Sequence, residues 1–211
     1  MVPIALDIPE SNVLPLRGYM VDTIKSATST CVLDLYYHSG LWKWLEEAAR
    51  FYTDMRGHCS QAENVRGLAK LLCTDWVHAR PYDELLEEVL GPIEDVAAHL
   101  LCSSANCKSW QTTTKATFDY VRFNKSVRPF FVRIKDRRVL RTHEGRIGLG
   151  PQVTQPGDIV VLLNGANVPH VLRPLENGQH QMVGQVYVQG IMWGEILEGL
   201  EDTEEEMFEL V

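Results

Sequence analysis

Few side chains in this sequence are spaced for chemistry. Cys102 and Cys107 lie five apart, and no other Cys or His pair stands at a distance that completes a tetrahedral zinc set. Gly145–Pro151, GRIGLGP, is glycine-rich but lacks the Lys-Ser/Thr of a phosphate loop and does not open a helix after a strand. It reads as turn punctuation. No Gly-x-Ser-x-Gly elbow is present and no cysteine sits in a nucleophile motif, which disfavours acyl-enzyme hydrolysis. Neither a metal nor a cofactor is expected.

Some residues could still line a pocket. His38 follows the aromatic pair Tyr36-Tyr37 and closely precedes Trp42 and Trp44, so His38 and Trp42 are candidate substrate contacts. Asp75 and His78 are three apart, a spacing at which two polar residues on a helix more often face solvent. His99, within AAHLL, reads as a core or edge histidine. The basic run Arg122 to Arg146 carries Tyr120, Phe123, Phe130 and Phe131 around it. A nucleic-acid surface would use such residues, but helical spacing of the aromatics favours core packing with the charges solvated.

Elements must position these groups. From Leu41 to Met55 apolar residues recur at three- and four-residue steps and Gly57 supplies a stop, which predicts an amphipathic helix. A second helix is predicted over about Gln61–Trp76, a third after Pro81, and a fourth over about Thr112–Lys135 with a kink at Pro129. Leu16–Ile24 is rich in strand formers and is followed by small polar residues that suggest a turn. After Arg138 short strands are predicted at Arg138–His143, Arg146–Leu149, Ile159–Leu163, Val168–Pro174 and Gln179–Gln189. They are separated by Glu144-Gly145, Pro156-Gly157-Asp158, Asn164-Gly165 and Asn177-Gly178. The expected class is α+β, an N-terminal helical part packed on a small C-terminal antiparallel β-meander or partly closed barrel.

With 211 residues, 45% of them hydrophobic, the chain can bury a substantial core as one domain. Its parts are an extended arm (1–15), a mainly helical part with one early strand (16–137), a β-rich part (138–194) and an acidic tail (195–211). Five scattered cysteines, an odd number, fit free thiols in a reducing compartment. The first residues carry no basic region ahead of an apolar run, and the apolar stretches are too short to span a bilayer, so cytoplasmic residence is expected. A formal net charge of -8 opposes nonspecific attraction to nucleic acid or anionic lipid. From Glu195 to Glu209 there are eight acidic residues and no basic one, and this tail is expected to dock on the basic run by charge attraction.

Arg138–Pro174, together with VGQVYVQGIMWGE at Val183–Glu195 and LRGYMVDTI at Leu16–Ile24, resembles the C-terminal region of fungal heterokaryon-incompatibility (HET) domain proteins. The resemblance implies the fold and a fungal origin. The HET effector domain of those proteins would lie before this region, no counterpart of it is expected here, and no catalytic residue is transferred. Where such proteins read like YVHGIMDGE, Gln189 and Trp193 stand in place of His and Asp, and His170 replaces an apolar aromatic residue.

Those exchanges suggest a re-lined pocket between helices and strands. His170 would donate or accept a proton and Tyr187 would add a phenol, while Trp193 offers an apolar face and Gln189 orients a carbonyl. Two functions follow as expectations. One is a cofactor-independent cyclase or isomerase, pericyclic chemistry included, acting on an apolar fungal secondary metabolite. The other is a noncatalytic interaction or regulatory module derived from a HET protein. The expected partner is a small apolar metabolite, with no nucleic acid and no membrane; a homo-oligomer or a protein partner stays open.

Overall fold

The computed structural model describes residues 13–31, 39–56, 61–73, 97–98, 134–196 and 205–211, and for 39–42, 55–56, 61–62 and 73 the backbone alone. Among the described residues the fold is α+β, with two helices preceding most of an eight-stranded, mostly antiparallel sheet. The helices expected after Pro81 and over 112–135 fall almost wholly outside the described residues.

Helix α1 (Ser39–Arg56) and helix α2 (Gln61–Cys73) stand where the apolar periodicity places them. Trp44, Ala48 and Tyr52 repeat at four-residue steps, as do Leu45 and Ala49, so one face of α1 is buried. On α2, Leu68, Ala69, Leu71 and Leu72 are buried, while Glu63 in the first turn and Lys70 in the last suit the helix dipole.

Strand β1 runs over Leu14–Ala27, longer at both ends than its sequence signal. Three partners account for the length. Leu14–Gly18 pairs with strand β8 (Glu206–Leu210), Gly18–Thr23 with strand β4 (Ile159–Leu163), and Ile24–Ala27 with strand β2 (Arg137–Thr142). Gly18 faces both β8 and β4, and a Cβ there would overlap the backbone of Leu162 and Leu163. The expected turn after Ile24 therefore begins only beyond Ala27.

Strand β3 (Ile147–Pro151) pairs with β2, and strand β5 (His170–Pro174) pairs with β4. The run expected as one strand over Gln179–Gln189 is two, β6 (His180–Gln185) against β5 and β7 (Tyr187–Val188) against β3. Between them the Val186 amide donates to the Pro169 carbonyl at 3.0 Å, where the chain crosses from one sheet neighbour to another. The acidic end is not only a tail. Its last residues form β8, antiparallel to β1 and joined to β6 at one parallel position, His180 opposite Leu210. The pairings β1–β4–β5–β6–β8–β1 thus close on themselves, with β2, β3 and β7 continuing from the other end of β1.

Strand alternation sorts the core into three clusters. Val139, Ile147, Leu149 and Tyr187 join the buried faces of α1 and α2; Leu140 and Val188 turn the other way, toward Ile24, Val160 and Val171. Ile159, Val161 and Leu163 alternate with Val160 and meet Leu172, Phe208 and Leu210. A strand buried on both faces, IVVLL, needs such a continuous apolar run. Among the described residues no helix is long and apolar enough to cross a membrane.

Candidate functional site

His170 opens β5 opposite Val161 on β4 and Gln185 on β6, so it shares its strand face with Leu172. The side chain is partly buried and its Nδ1 is wholly buried with no hydrogen-bond partner. His180, which the sequence reading did not single out, repeats this arrangement at the far end of the hairpin. It lies opposite Pro174 and Leu210, sets its ring edge-on against Phe208 at 5.4 Å, and also has a buried, unpartnered Nδ1. A histidine flanking Asn177-Gly178 at each end of one hairpin was the available signal. The two stand at rungs four residues apart, about 13 Å along a strand, too far to share one ion.

Tyr187 is buried in a different cluster, the one beneath α1 and α2. Gln189 ties the strands to the helices: its Nε2 donates to the Gly67 carbonyl of α2 at 2.8 Å and its backbone N–H to the Ile147 carbonyl at 2.9 Å. Trp193 is 61% exposed, on a bend where its backbone N–H donates to the Glu195 carboxylate at 2.7 Å. His38 and the side chain of Trp42 lie outside the described residues. Tyr187 therefore lies in the core beneath the helices, His170 stands partly buried between β4 and β6, Gln189 is an inter-element clamp, and Trp193 is presented to solvent.

The charged groups with the most partners in this region are structural. Asp158 is 1% exposed, in the turn before β4, and accepts from Arg173 Nε at 2.8 Å, from the second guanidinium nitrogen at 3.0 Å and from the Gln155 N–H at 2.9 Å. The hydrogen bond to Asp158 keeps the Arg173 guanidinium firmly charged, and the same group donates to the Val153 carbonyl at 2.7 Å. Asp22 plays a similar part under the β2–β3 turn, accepting from the Glu144 N–H at 3.0 Å with Arg146 at 3.5 Å. Burial lowers the pKa of Arg137, which donates to the Gln185 carbonyl at 3.0 Å.

Comparison with known proteins agrees with this geometry. Residues 128–211 match the family described as the Het-6 beta-barrel domain, so the C-terminal part of the chain carries that domain. A stretch of 71 residues is 36% identical to heterokaryon incompatibility protein 6, OR allele, of Neurospora crassa; it covers 32% of this chain and 10% of that protein. The match thus spans about a tenth of the curated relative's length. No solved structure matches the chain.

Proposed function

We propose that the chain is a noncatalytic interaction module of fungal HET type, acting in the cytoplasm on a protein partner. Its strand circuit serves as a small barrel that displays recognition residues. The observation that carries this reading is the match of residues 128–211 to the Het-6 beta-barrel domain, beside a partial match to a heterokaryon incompatibility protein. An exposed tryptophan suits it, because large aromatic side chains on a surface turn are common anchors of protein interfaces. The partner of this reading is a full-length HET-type protein of the same organism.

The test is pairwise calorimetry between the purified chain and such a protein. Binding that Trp193→Ala weakens about tenfold or more, a typical anchor loss, supports the reading. Absence of binding across that organism's HET-type proteins rejects it.

A second reading, a cofactor-independent cyclase or isomerase working on an apolar metabolite, is favoured by the buried Nδ1 of His170. A buried imidazole nitrogen left without a partner is a group that a ligand entering beside it would satisfy. Here His170 is the acid or base, with Tyr187, Gln189 and Trp193 as further contacts. Comparing the metabolites of strains with and without the gene decides it: a vanished product that His170→Ala also fails to restore supports this reading, and an unchanged profile removes it.

A further inference from the structure

Two Asn-Gly pairs sit at turn tips, and the sheet holds them differently. Asn164-Gly165 follows β4 and Asn177-Gly178 joins β5 to β6; both pairs are exposed, and both glycines face open space where a Cβ would stand. A glycine after asparagine leaves its backbone nitrogen unshielded, so that this nitrogen can reach the side-chain amide carbon. Room does not separate the two sites, but hydrogen bonding does. The Gly178 N–H donates to the Leu175 carbonyl at 3.0 Å and the Asn177 Oδ1 accepts from the Gln179 N–H at 3.1 Å, so nucleophile and electrophile are both held. The other turn is closed one residue later, by the Ala166 N–H donating to the Leu163 carbonyl at 3.0 Å, and the Gly165 N–H has no acceptor among the described residues. Asn164 Nδ2 donates to one oxygen of Glu205, whose other oxygen accepts from Arg17 at 3.0 Å.

We propose that Asn164 is a self-modifying site, deamidating in the folded protein while Asn177 is spared, and that the product loosens the start of β8. The Gly165 nitrogen bonds to the Asn164 Cγ, the Cγ–Nδ2 bond breaks, and the amide nitrogen leaves as ammonia with the proton that the Gly165 nitrogen gave up. A five-membered imide remains. Water then adds to one of the two ring carbonyls and breaks its bond to the Gly165 nitrogen, which regains a proton. Opening at Cγ gives aspartate; opening at the main-chain carbonyl gives isoaspartate. Water is the co-reactant and no electrons are transferred.

The aspartate places a second carboxylate beside Glu205, so one Arg17 faces two like charges. The isoaspartate adds a main-chain carbon to the turn that Leu163 closes. Glu205 immediately precedes Glu206–Leu210, so either product acts at the strand that seats Phe208 and Leu210 against Leu163 and Leu172. This chemistry is independent of whether the chain binds a HET-type protein.

Peptide mass analysis of the full chain, aged in mildly alkaline buffer, should show Asn164 lost severalfold faster than Asn177. In urea, where neither turn is hydrogen-bonded, the two rates should converge. The charge effect is read by hydrogen exchange: Asn164→Asp should speed exchange of the 206–210 amides about twofold. Adding Glu205→Gln should restore the wild-type rate, because it re-forms the donor–acceptor pair in reverse. Asn177 lost as fast as Asn164 in the folded chain overturns the proposal. So does unchanged exchange in Asn164→Asp, or faster exchange that Glu205→Gln leaves in place.

Discussion

Asp158 illustrates how a side chain that looks catalytic serves the fold instead. A carboxylate almost entirely removed from water needs its lone pairs filled, and Arg173 and the Gln155 amide fill them. Replacing it by Asn keeps the volume but removes the charge that the guanidinium faces, so Asp158→Asn should lower stability by about 3 kcal/mol, read from the urea midpoint. Cys31 supplies a second expectation. Burial, with a smaller contribution from Asp136, pushes its thiol up from 9.0 to about 12, so the native group is neutral and inert at ordinary pH. A raised acid pKa means that the folded state holds the proton more tightly. That contribution is complete below pH 9.0 and is lost as pH rises toward 12. Cys31→Ala should flatten the decline in stability over that alkaline window, and Cys31 should resist alkylation near neutral pH until urea unfolds the chain.

Helices and strands meet at Gly67, where no side chain could stand. A Cβ on this residue would overlap the Tyr52 hydroxyl, so the Tyr52 side chain of α1 packs directly on the α2 backbone there, and Gln189 Nε2 donates to the Gly67 carbonyl of the same turn. Gly67→Ala should cost about 1–3 kcal/mol by overpacking despite the better helix propensity of alanine. Tyr52→Phe in the same chain should recover part of it, because the hydroxyl is the closest atom; equal stability of the single and double variants by thermal unfolding would refute this account. At this scale much was legible. The three- and four-residue steps over 41–55 and the glycine pairs at 144–145, 164–165 and 177–178 encode local geometry, and the elements begin and end near them. The length of β1 was not legible, since its ends are held by β8 and β2, partners remote in sequence. The candidate site fared differently. The features that drew His170 and Trp193 together were exchanges along one sequence, and these do not say which strand face each residue takes; the bend after β7 sends Trp193 to solvent while His170 stays on β5.

Across the whole molecule, the acidic end shows why composition hides structure. Eight acids over 195–209 read as a charged tail suited to a basic surface, yet at its end Phe208 and Leu210 alternate with exposed residues and define a strand. The cation that Glu205 finds is Arg17 on β1, outside the basic run at 122–146 where the sequence expectation put it. Asn164 first and Arg17 next hold the Glu205 carboxyl below its ordinary pKa of 4.5. A lowered carboxylate pKa contributes stability above that ordinary value and loses it as pH falls through the folded one, so this end of the sheet should loosen in acid. The pair is exposed and screened, and it is therefore a minor anchor. Apolar burial by Phe208 and Leu210, with the backbone ladder to β1, is the major one. Salt then separates the two accounts of this segment: charge docking weakens with ionic strength, whereas burial does not. Phe208→Ala should cost about 3–5 kcal/mol in urea unfolding, by nearly the same amount at low salt and at molar sodium chloride, and Glu205→Gln should be close to neutral at both. A loss on Phe208→Ala that shrinks steeply with salt, or a large effect of Glu205→Gln, would return the segment to an electrostatic tether.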